Sequence, residues 1–216
     1  MKKYKMLIFD MDGTILYTLE DLKNTTNYAL NEHGFPERTL EEVRRFVGNG
    51  IHKLIERAVP EGTSDADIEA VFTTFEIYYK DHCMDTTRPY DGINDLLTKL
   101  RAKGYMTAVV SNKVDFAVQD LVKDFFIGQF DIAIGEREGV RKKPAPDSVY
   151  EVLKEFHLGK DEVFYIGDSD VDYATARNAG VDCILVEWGF RDRAFLESLG
   201  ATVFAKKPED ILKIVG

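Results

Sequence analysis

The stretch Ile8-Phe9-Asp10-Met11-Asp12-Gly13-Thr14 decides how the rest of the chain is read. The apolar run from Met6 to Phe9 predicts a short buried strand. Side chains two apart on a strand share a face, so Asp10 and Asp12 at its end address one space. Gly13 lets the chain turn sharply there. Two carboxylates so close raise each other's proton affinity unless something positive lies between them. A divalent cation supplies that charge, and oxygen ligands suit a hard ion such as Mg2+. One carboxylate can then attack while the other carries protons. An Asp-Gly pair alone also makes an ordinary polar turn, so the rest of the chain has to supply what this stretch lacks.

The 216 residues make one or two domains, and a 44% hydrophobic share builds a substantial core. The formal net charge of -10 argues against nucleic acid and anionic membrane as partners, since both need a basic face. A phosphate-bearing substrate would then be met by local cations or a metal. Cys83 and Cys183 stand far apart and outside any C-x-x-C pattern, which predicts reduced, buried thiols. Met1-Lys2-Lys3-Tyr4-Lys5 carries charge like a signal peptide, but the apolar run after it is too short and ends in aspartates. No segment reaches the length of a membrane span, so the expected location is the cytoplasm.

Beyond Thr14, Thr18 with Asp21 three residues on predicts a capped helix from about Leu19 to His33. Thr39 and Ser64 cap further predicted helices, and Ile51 to Ala58 forms another apolar stripe. Residues 17–84 therefore read as an all-helical insertion. From about Tyr90 strands and helices alternate: strands at Met106–Val110, Phe130–Ile134, Val163–Ile166 and Cys183–Val186, with helices between. The expected fold is α/β, a Rossmann-like doubly wound parallel sheet made by residues 1–16 and 85–216, with the helical block inserted after its first strand.

Ligands of doubly wound sheets sit beyond the carboxyl ends of the strands. Four polar segments fall there: Asp10 to Thr14, Ser111-Asn112-Lys113, Arg141-Lys142-Lys143-Pro144 and Gly167-Asp168-Ser169-Asp170-Val171-Asp172. Taken singly, Ser111-Asn112 also reads as a helix cap, Lys142-Lys143 as a solvated pair and Asp168 to Asp172 as a turn with an N-cap. Placed together at one sheet edge, they supply what phosphoryl transfer needs: a nucleophile, a proton carrier, donors for phosphoryl oxygens, a cation and a metal.

These four ordered segments resemble the haloacid-dehalogenase superfamily, in particular its phosphatases with a helical cap after the first strand. The resemblance covers essentially the whole chain. It implies that Asp10 is the nucleophile, forming an aspartyl-phosphate, and that Asp12 serves the leaving oxygen and then the attacking water. It implies that Ser111 holds phosphoryl oxygens, with Thr14 and Asn112 beside it, and that Lys143 offsets charge. Lys143 is preferred over Lys142 because the match is to Lys followed by Pro. Asp10, the Asp12 carbonyl and Asp168 would hold Mg2+, and Asp172 would do so through water. The second aspartate argues for phosphate ester hydrolysis, since a halide leaving group needs no acid.

In the insertion, Val47-Gly48-Asn49-Gly50 before a helix predicts a nest of free amides suited to an anion. It resembles the cap of phosphoglycolate phosphatases, whose substrate carries a carboxylate beside its phosphate. Gly48, Asn49 and Gly50, with Arg45 or His52 nearby, are thus expected to bind substrate. The family commonly has Asp-Ser where this chain has Tyr17-Thr18, which bears on specificity more than on catalysis. The expected partner is one small phosphorylated metabolite, phosphoglycolate first, a sugar phosphate or pyrophosphate next. A phosphosugar mutase would use the same core, and a non-catalytic binding protein would not need the full set of site residues. The expected assembly is a monomer or homodimer.

Overall fold

The structure, a computed structural model, describes residues 4–216; the first three residues of the N-terminal charged segment lie outside the described residues. The chain forms two compact units, Met1–Leu16 with Pro89–Gly216, and Tyr17–Arg88.

The larger unit begins with β1, Met6–Phe9. The short strands β2, Leu16–Tyr17, and β3, Arg88–Pro89, pair with each other where the chain leaves and re-enters this unit. In chain order between and after them come four helices, α1 to α4, described below, then α5 (Ile93–Ala102), β4 (Met106–Val114), α6 (Asp115–Phe125), β5 (Ile132–Glu136) and α7 (Asp147–Glu155). β6 (Val163–Gly167), α8 (Asp170–Ala179), β7 (Asp182–Val186), α9 (Arg193–Ser198), β8 (Phe204–Ala205) and α10 (Pro208–Val215) complete it. Six strands form one sheet in the order β5-β4-β1-β6-β7-β8, and its paired strands run parallel. This is the doubly wound α/β sheet expected from the alternation.

β1 is central and buried throughout. Leu7 and Phe9 pack into one apolar layer with Ile93, Leu97, Val118 and Ile211 from α5, α6 and α10. Met6 and Ile8 pack into the other with Val149, Val152 and Ala176 from α7 and α8. A strand buried on both faces needs such an unbroken apolar run. It also fixes where the first polar residue must fall, at Asp10.

β4 and β5 both run past their expected ends, β5 to Glu136 rather than Ile134. β4 does not end at Val110 but continues to Val114 through a bulge, with Val110 opposite Ile134 and Val114 opposite Glu136. Three residues, 111–113, therefore face a single residue, Gly135. A Cβ on Gly135 would lie 2.4 Å from the Asp115 Cα and 2.7 Å from the Lys113 carbonyl oxygen, so glycine is what admits the bulge. Ser111-Asn112 is accordingly strand, not a helix cap.

The smaller unit contains α1 (Leu19–Glu32), α2 (Leu40–Phe46), α3 (Ile51–Ala58) and α4 (Asp65–His82). Thr39 and Glu42 form a complete capping box, and the Ser64 hydroxyl accepts from the Asp67 amide at 3.2 Å. The expected box at Thr18 is absent: that hydroxyl makes no cap bond. Asp21, its presumed partner, instead accepts from the Thr86 amide and hydroxyl and from the Thr87 amide, at 2.6 to 3.1 Å. Those donors would otherwise be stranded in a half-buried turn, so they outcompete a local cap. α1 and α4 pack together, with Tyr28 and Tyr78 stacked at 3.8 Å.

Both cysteines are unbridged and partly, not fully, buried. No helix among the described residues is long and apolar enough to cross a membrane.

Candidate active site

Three strand ends and two following loops bring the predicted polar residues of the larger unit together. Asp10 leaves β1 with its amide donating to the Ile166 carbonyl at 2.8 Å, which locks it beside β6. Gly13, at φ 85, then turns the chain back, so that Thr14, Ile15 and Leu16 all donate to the Met11 carbonyl. A Cβ at Gly13 would lie 2.5 Å from an Asp168 carboxylate oxygen. Glycine here serves close approach as well as the turn.

Lys143 is the hub. Its Nζ lies 2.7 Å from Asp10 Oδ1, 2.8 Å from Asp172 Oδ1 and 3.1 Å from the Tyr165 hydroxyl. All four side chains are buried. Asn112 fixes the lysine's backbone: its Nδ2 donates to the Lys143 carbonyl at 3.0 Å, and its Oδ1 accepts from the Lys143 amide at 2.8 Å. Asn112 was expected on the substrate; here its amide is engaged with the chain itself. Lys142 pairs instead with Glu136 at 3.3 Å and is exposed.

Asp168 receives the Thr14 hydroxyl at 3.2 Å and the Phe190 amide at 2.7 Å. A Cβ on Gly189 would stand 2.2 Å from the Asp168 Cβ, so the loop after β7 closes over this carboxylate only because residue 189 is glycine. Asp172 uses both oxygens within the protein. Oδ1 accepts from Lys143 and, at 3.2 Å, Tyr165; Oδ2 accepts from the Asp168 and Ser169 amides and the Ser169 hydroxyl. Those donors fill the lone-pair positions of a carboxylate.

Asp10, Asp168 and Asp172 each present an oxygen within 4.8 Å of the others, a donor set suited to a hard cation. Asp12 stands apart from that trio and pairs with a second buried lysine, Lys113, at 3.2 Å. Ser111, buried, accepts the Lys113 amide on its hydroxyl at 3.1 Å.

One lysine does not neutralise three buried carboxylates, and the proton affinities divide accordingly. Burial raises Asp172, but Lys143, the Ser169 hydroxyl and the Asp168 amide outweigh it and hold this carboxyl below the ordinary value. Burial and the Asp172 charge push Asp10 well up despite Lys143. The same two causes push Asp168 up to about 7. Burial opposes the charge on Lys143, yet Asp10 and Asp172 overcome it and raise its proton affinity. Were Asp10, Asp12, Asp168 and Asp172 all ionised against Lys113 and Lys143, two negative charges would remain, the deficit one divalent cation would fill.

The chain has known counterparts. A family profile described as haloacid dehalogenase-like hydrolase matches residues 7–186. The chain belongs to that family. Among curated relatives, the phosphoglycolate phosphatase of Nitrosospira multiformis is 31% identical over 193 residues, covering 87% of this chain and 85% of its own. That of Mannheimia succiniciproducens is 28% identical over 221 residues, covering 99% of each. Among solved structures, a candidate phosphoglycolate phosphatase from Lactobacillus delbrueckii superposes with a TM-score of 0.95 at 40% identity, covering 100% of this chain and 99% of its own. The protein is thus an enzyme of a hydrolase family.

Sequence reasoning named Asp10, Asp12, Ser111, Lys143, Asp168 and Asp172 but missed three parts of the site. Tyr165 was legible as a hydroxyl on an otherwise apolar strand, three residues before Asp168. Gly189 had no local signal, because its reason is Asp168, 21 residues earlier. Lys113 stands within its motif, where nothing local separates it from a solvated lysine.

In the smaller unit, Gly48 and Gly50 take φ values of 118 and 87, and Gly50, with ψ 165, is extended rather than left-handed helical. Arg45 does not turn toward it: its side chain is exposed and pairs with Glu41 at 3.1 Å. His52 is held between Glu56 at 3.0 Å and Glu69 at 2.6 Å. Asn49 Oδ1 accepts from Arg57 at 3.0 Å, and Arg57 also donates to the Phe46 carbonyl. Arg57, the penultimate residue of α3, is the residue that ties this loop down.

Proposed function

We propose that this enzyme hydrolyses a small phosphate monoester by way of a phosphorylated Asp10, with Mg2+ bound, and that phosphoglycolate is the first substrate to test. The observation that carries the reading is Asp10 held by Lys143 at 2.7 Å among three clustered carboxylates, with Asp12 two residues on and paired to a separate lysine. That division gives one carboxylate the environment of a nucleophile and leaves the other, about one-fifth exposed, to exchange protons.

In this scheme an Asp10 oxygen forms a bond to phosphorus as the bond from phosphorus to the leaving oxygen breaks. Asp12 gives its proton to that oxygen. Water then attacks phosphorus, Asp12 takes the proton back, and inorganic phosphate leaves with the Asp10 carboxylate restored. Lys143 holds the Asp10 oxygens in line, Asn112 holds Lys143, and Ser111 serves the phosphoryl oxygens. The residues that would hold Mg2+ are Asp10, Asp168 and the Asp12 carbonyl; Asp172, its oxygens already engaged, holds Lys143. The ion would offset charge on the phosphoryl group. The larger unit takes the role of catalytic core and the helical unit that of cap, with the Gly48-Asn49-Gly50 nest as the candidate anion subsite.

The names of the relatives and the second aspartate both support phosphate ester hydrolysis. The test is phosphate release from a panel of phosphorylated metabolites, ranked by kcat/KM, with Mg2+ and with EDTA. Asp10→Asn is expected to abolish release. Full activity in that variant, or in EDTA, would sink the mechanism. A low rank for phosphoglycolate would replace the substrate and leave the mechanism in place.

A further inference from the structure

We propose that Lys113 is the positioning residue for Asp12, and that it governs how well the enzyme expels a basic leaving group. The inference rests on the phosphoryl-transfer scheme above. Asp12 Oδ1 is buried and accepts no aligned hydrogen bond among the described residues, yet the Lys113 Nζ lies 3.2 Å away. A buried carboxylate oxygen without donors is costly, and a neighbouring ammonium is what compensates it. Anchoring Oδ1 leaves the other oxygen of Asp12 as the one free to meet a leaving group.

The fold builds this contact with some effort. The lysine side chain is 4% exposed, at a position where an apolar residue would fill the space at less cost. It reaches Asp12 because β4 bulges there, which turns Lys113 inward and Val114 out to solvent. The bulge is held from three sides. Ser111 accepts the Lys113 amide at 3.1 Å, Gly135 leaves room for the Lys113 carbonyl, and Asp115 Oδ1 accepts the Gly135 amide at 2.7 Å. A bulge that brings a buried ammonium to Asp12 is explained by the need to keep that carboxylate in one orientation. Proton transfer from a positioned acid is worth about 10²- to 10⁴-fold in rate, and misplacement by about 1 Å forfeits much of it.

The consequence is specific. A general acid matters for a leaving group that is unstable as an anion and little for one that is stable. The experiment compares kcat/KM for phenyl phosphate and p-nitrophenyl phosphate in the Mg2+-loaded enzyme, since this ratio reports the step that breaks the ester bond. The two esters share shape and charge apart from the nitro group. Lys113→Met is expected to lose about tenfold more on phenyl phosphate than on p-nitrophenyl phosphate, and Lys113→Arg to recover part of that difference. Retained p-nitrophenyl phosphate activity shows that the variant is folded; should Lys113→Met melt below the assay temperature, Lys113→Gln carries the same comparison. Equal losses on the two esters would assign Lys113 to packing or to substrate binding and overturn the inference. Asp12→Asn separates the two levels. If it shows no bias between the esters, the scheme itself fails. If it shows the bias and Lys113→Met does not, only the role of Lys113 fails.

Discussion

Replacing Lys143 with methionine removes the one ammonium that Asp10 and Asp172 share and keeps the volume of its stem. At 2.7 and 2.8 Å the two contacts are each worth about 6 kcal/mol gross at an effective dielectric of about 20. Desolvation of the lysine offsets most of that sum. What remains in the variant is the cost of leaving buried carboxylates without a counter-charge, about 3–5 kcal/mol. For a chain of this size each kcal/mol moves the melting point by about 2–4 °C, so the expected drop is about 6–20 °C.

The drop depends on pH, and its sign follows from the site. Asp172 is held below its ordinary value in the native enzyme, so its contribution is present above the unfolded carboxylate range and is lost as pH falls through the native value. In Lys143→Met that contribution disappears, and with it the main cause that restrained Asp10 and a lesser one that, beside the Phe190 amide, restrained Asp168. Raised carboxyls favour the protonated folded state, so the variant regains stability as pH falls. The gap between the two proteins is therefore full at pH 8 and narrows toward pH 5. Circular dichroism melts in EDTA at unit pH intervals measure it. A gap below about 1 kcal/mol at pH 8, or one that stays constant with pH, would refute the account of Lys143 as the shared counter-charge.

Three further changes probe the surroundings of that lysine. Asn112→Ala removes both hydrogen bonds on the Lys143 backbone and should cost about 1–3 kcal/mol in urea denaturation, with a fall in kcat on the same protein. Gly189→Ala would force a Cβ to 2.2 Å from Asp168, so Mg2+ affinity read from thermal shift should fall by about tenfold or more, while Gly34→Ala, with nothing within 4 Å, costs only its backbone strain of about 1–2 kcal/mol. Because burial pushes Asp168 up to about 7 and raises Asp10 as well, protons compete with the ion; apparent Mg2+ affinity should weaken by about tenfold or more per pH unit below 7, and calorimetry should detect more proton release on binding at pH 6 than at pH 9. Affinity independent of pH from 5 to 8 would remove Asp168 from the ligand set.

The sheet could be read from the chain because its signals are local. Met6 to Phe9 is apolar without a break, Gly13 follows two carboxylates, and the four polar segments recur at the ends of predicted strands. What escaped reading was most often a polar side chain already engaged elsewhere in the protein. Asp21 reads as a cap for its own helix, yet its carboxylate is claimed by Thr86 and Thr87, 65 and 66 residues on. Arg45 and His52 read as cations for an anion nest, yet glutamates one helical turn away or on the next helix engage them first. Asn112 reads as a substrate contact, yet its amide matches the Lys143 peptide in both donor and acceptor.

Asp172 carries this furthest. The family resemblance implies that Asp172 holds the metal through water, and its oxygen does lie in the carboxylate cluster. It is also the third residue of α8, where Ser169 and two amides take one oxygen, while Lys143 and Tyr165 take the other. Both oxygens are thus already engaged within the protein, so an ion bound directly there would compete with Lys143 and Ser169. Binding a cation to Asp172 would loosen Lys143, and Lys143 is what restrains Asp10. The charge of Asp172 thus serves the site through the lysine it holds, a role that depends on the partner 29 residues earlier and that no spacing rule along the chain can express.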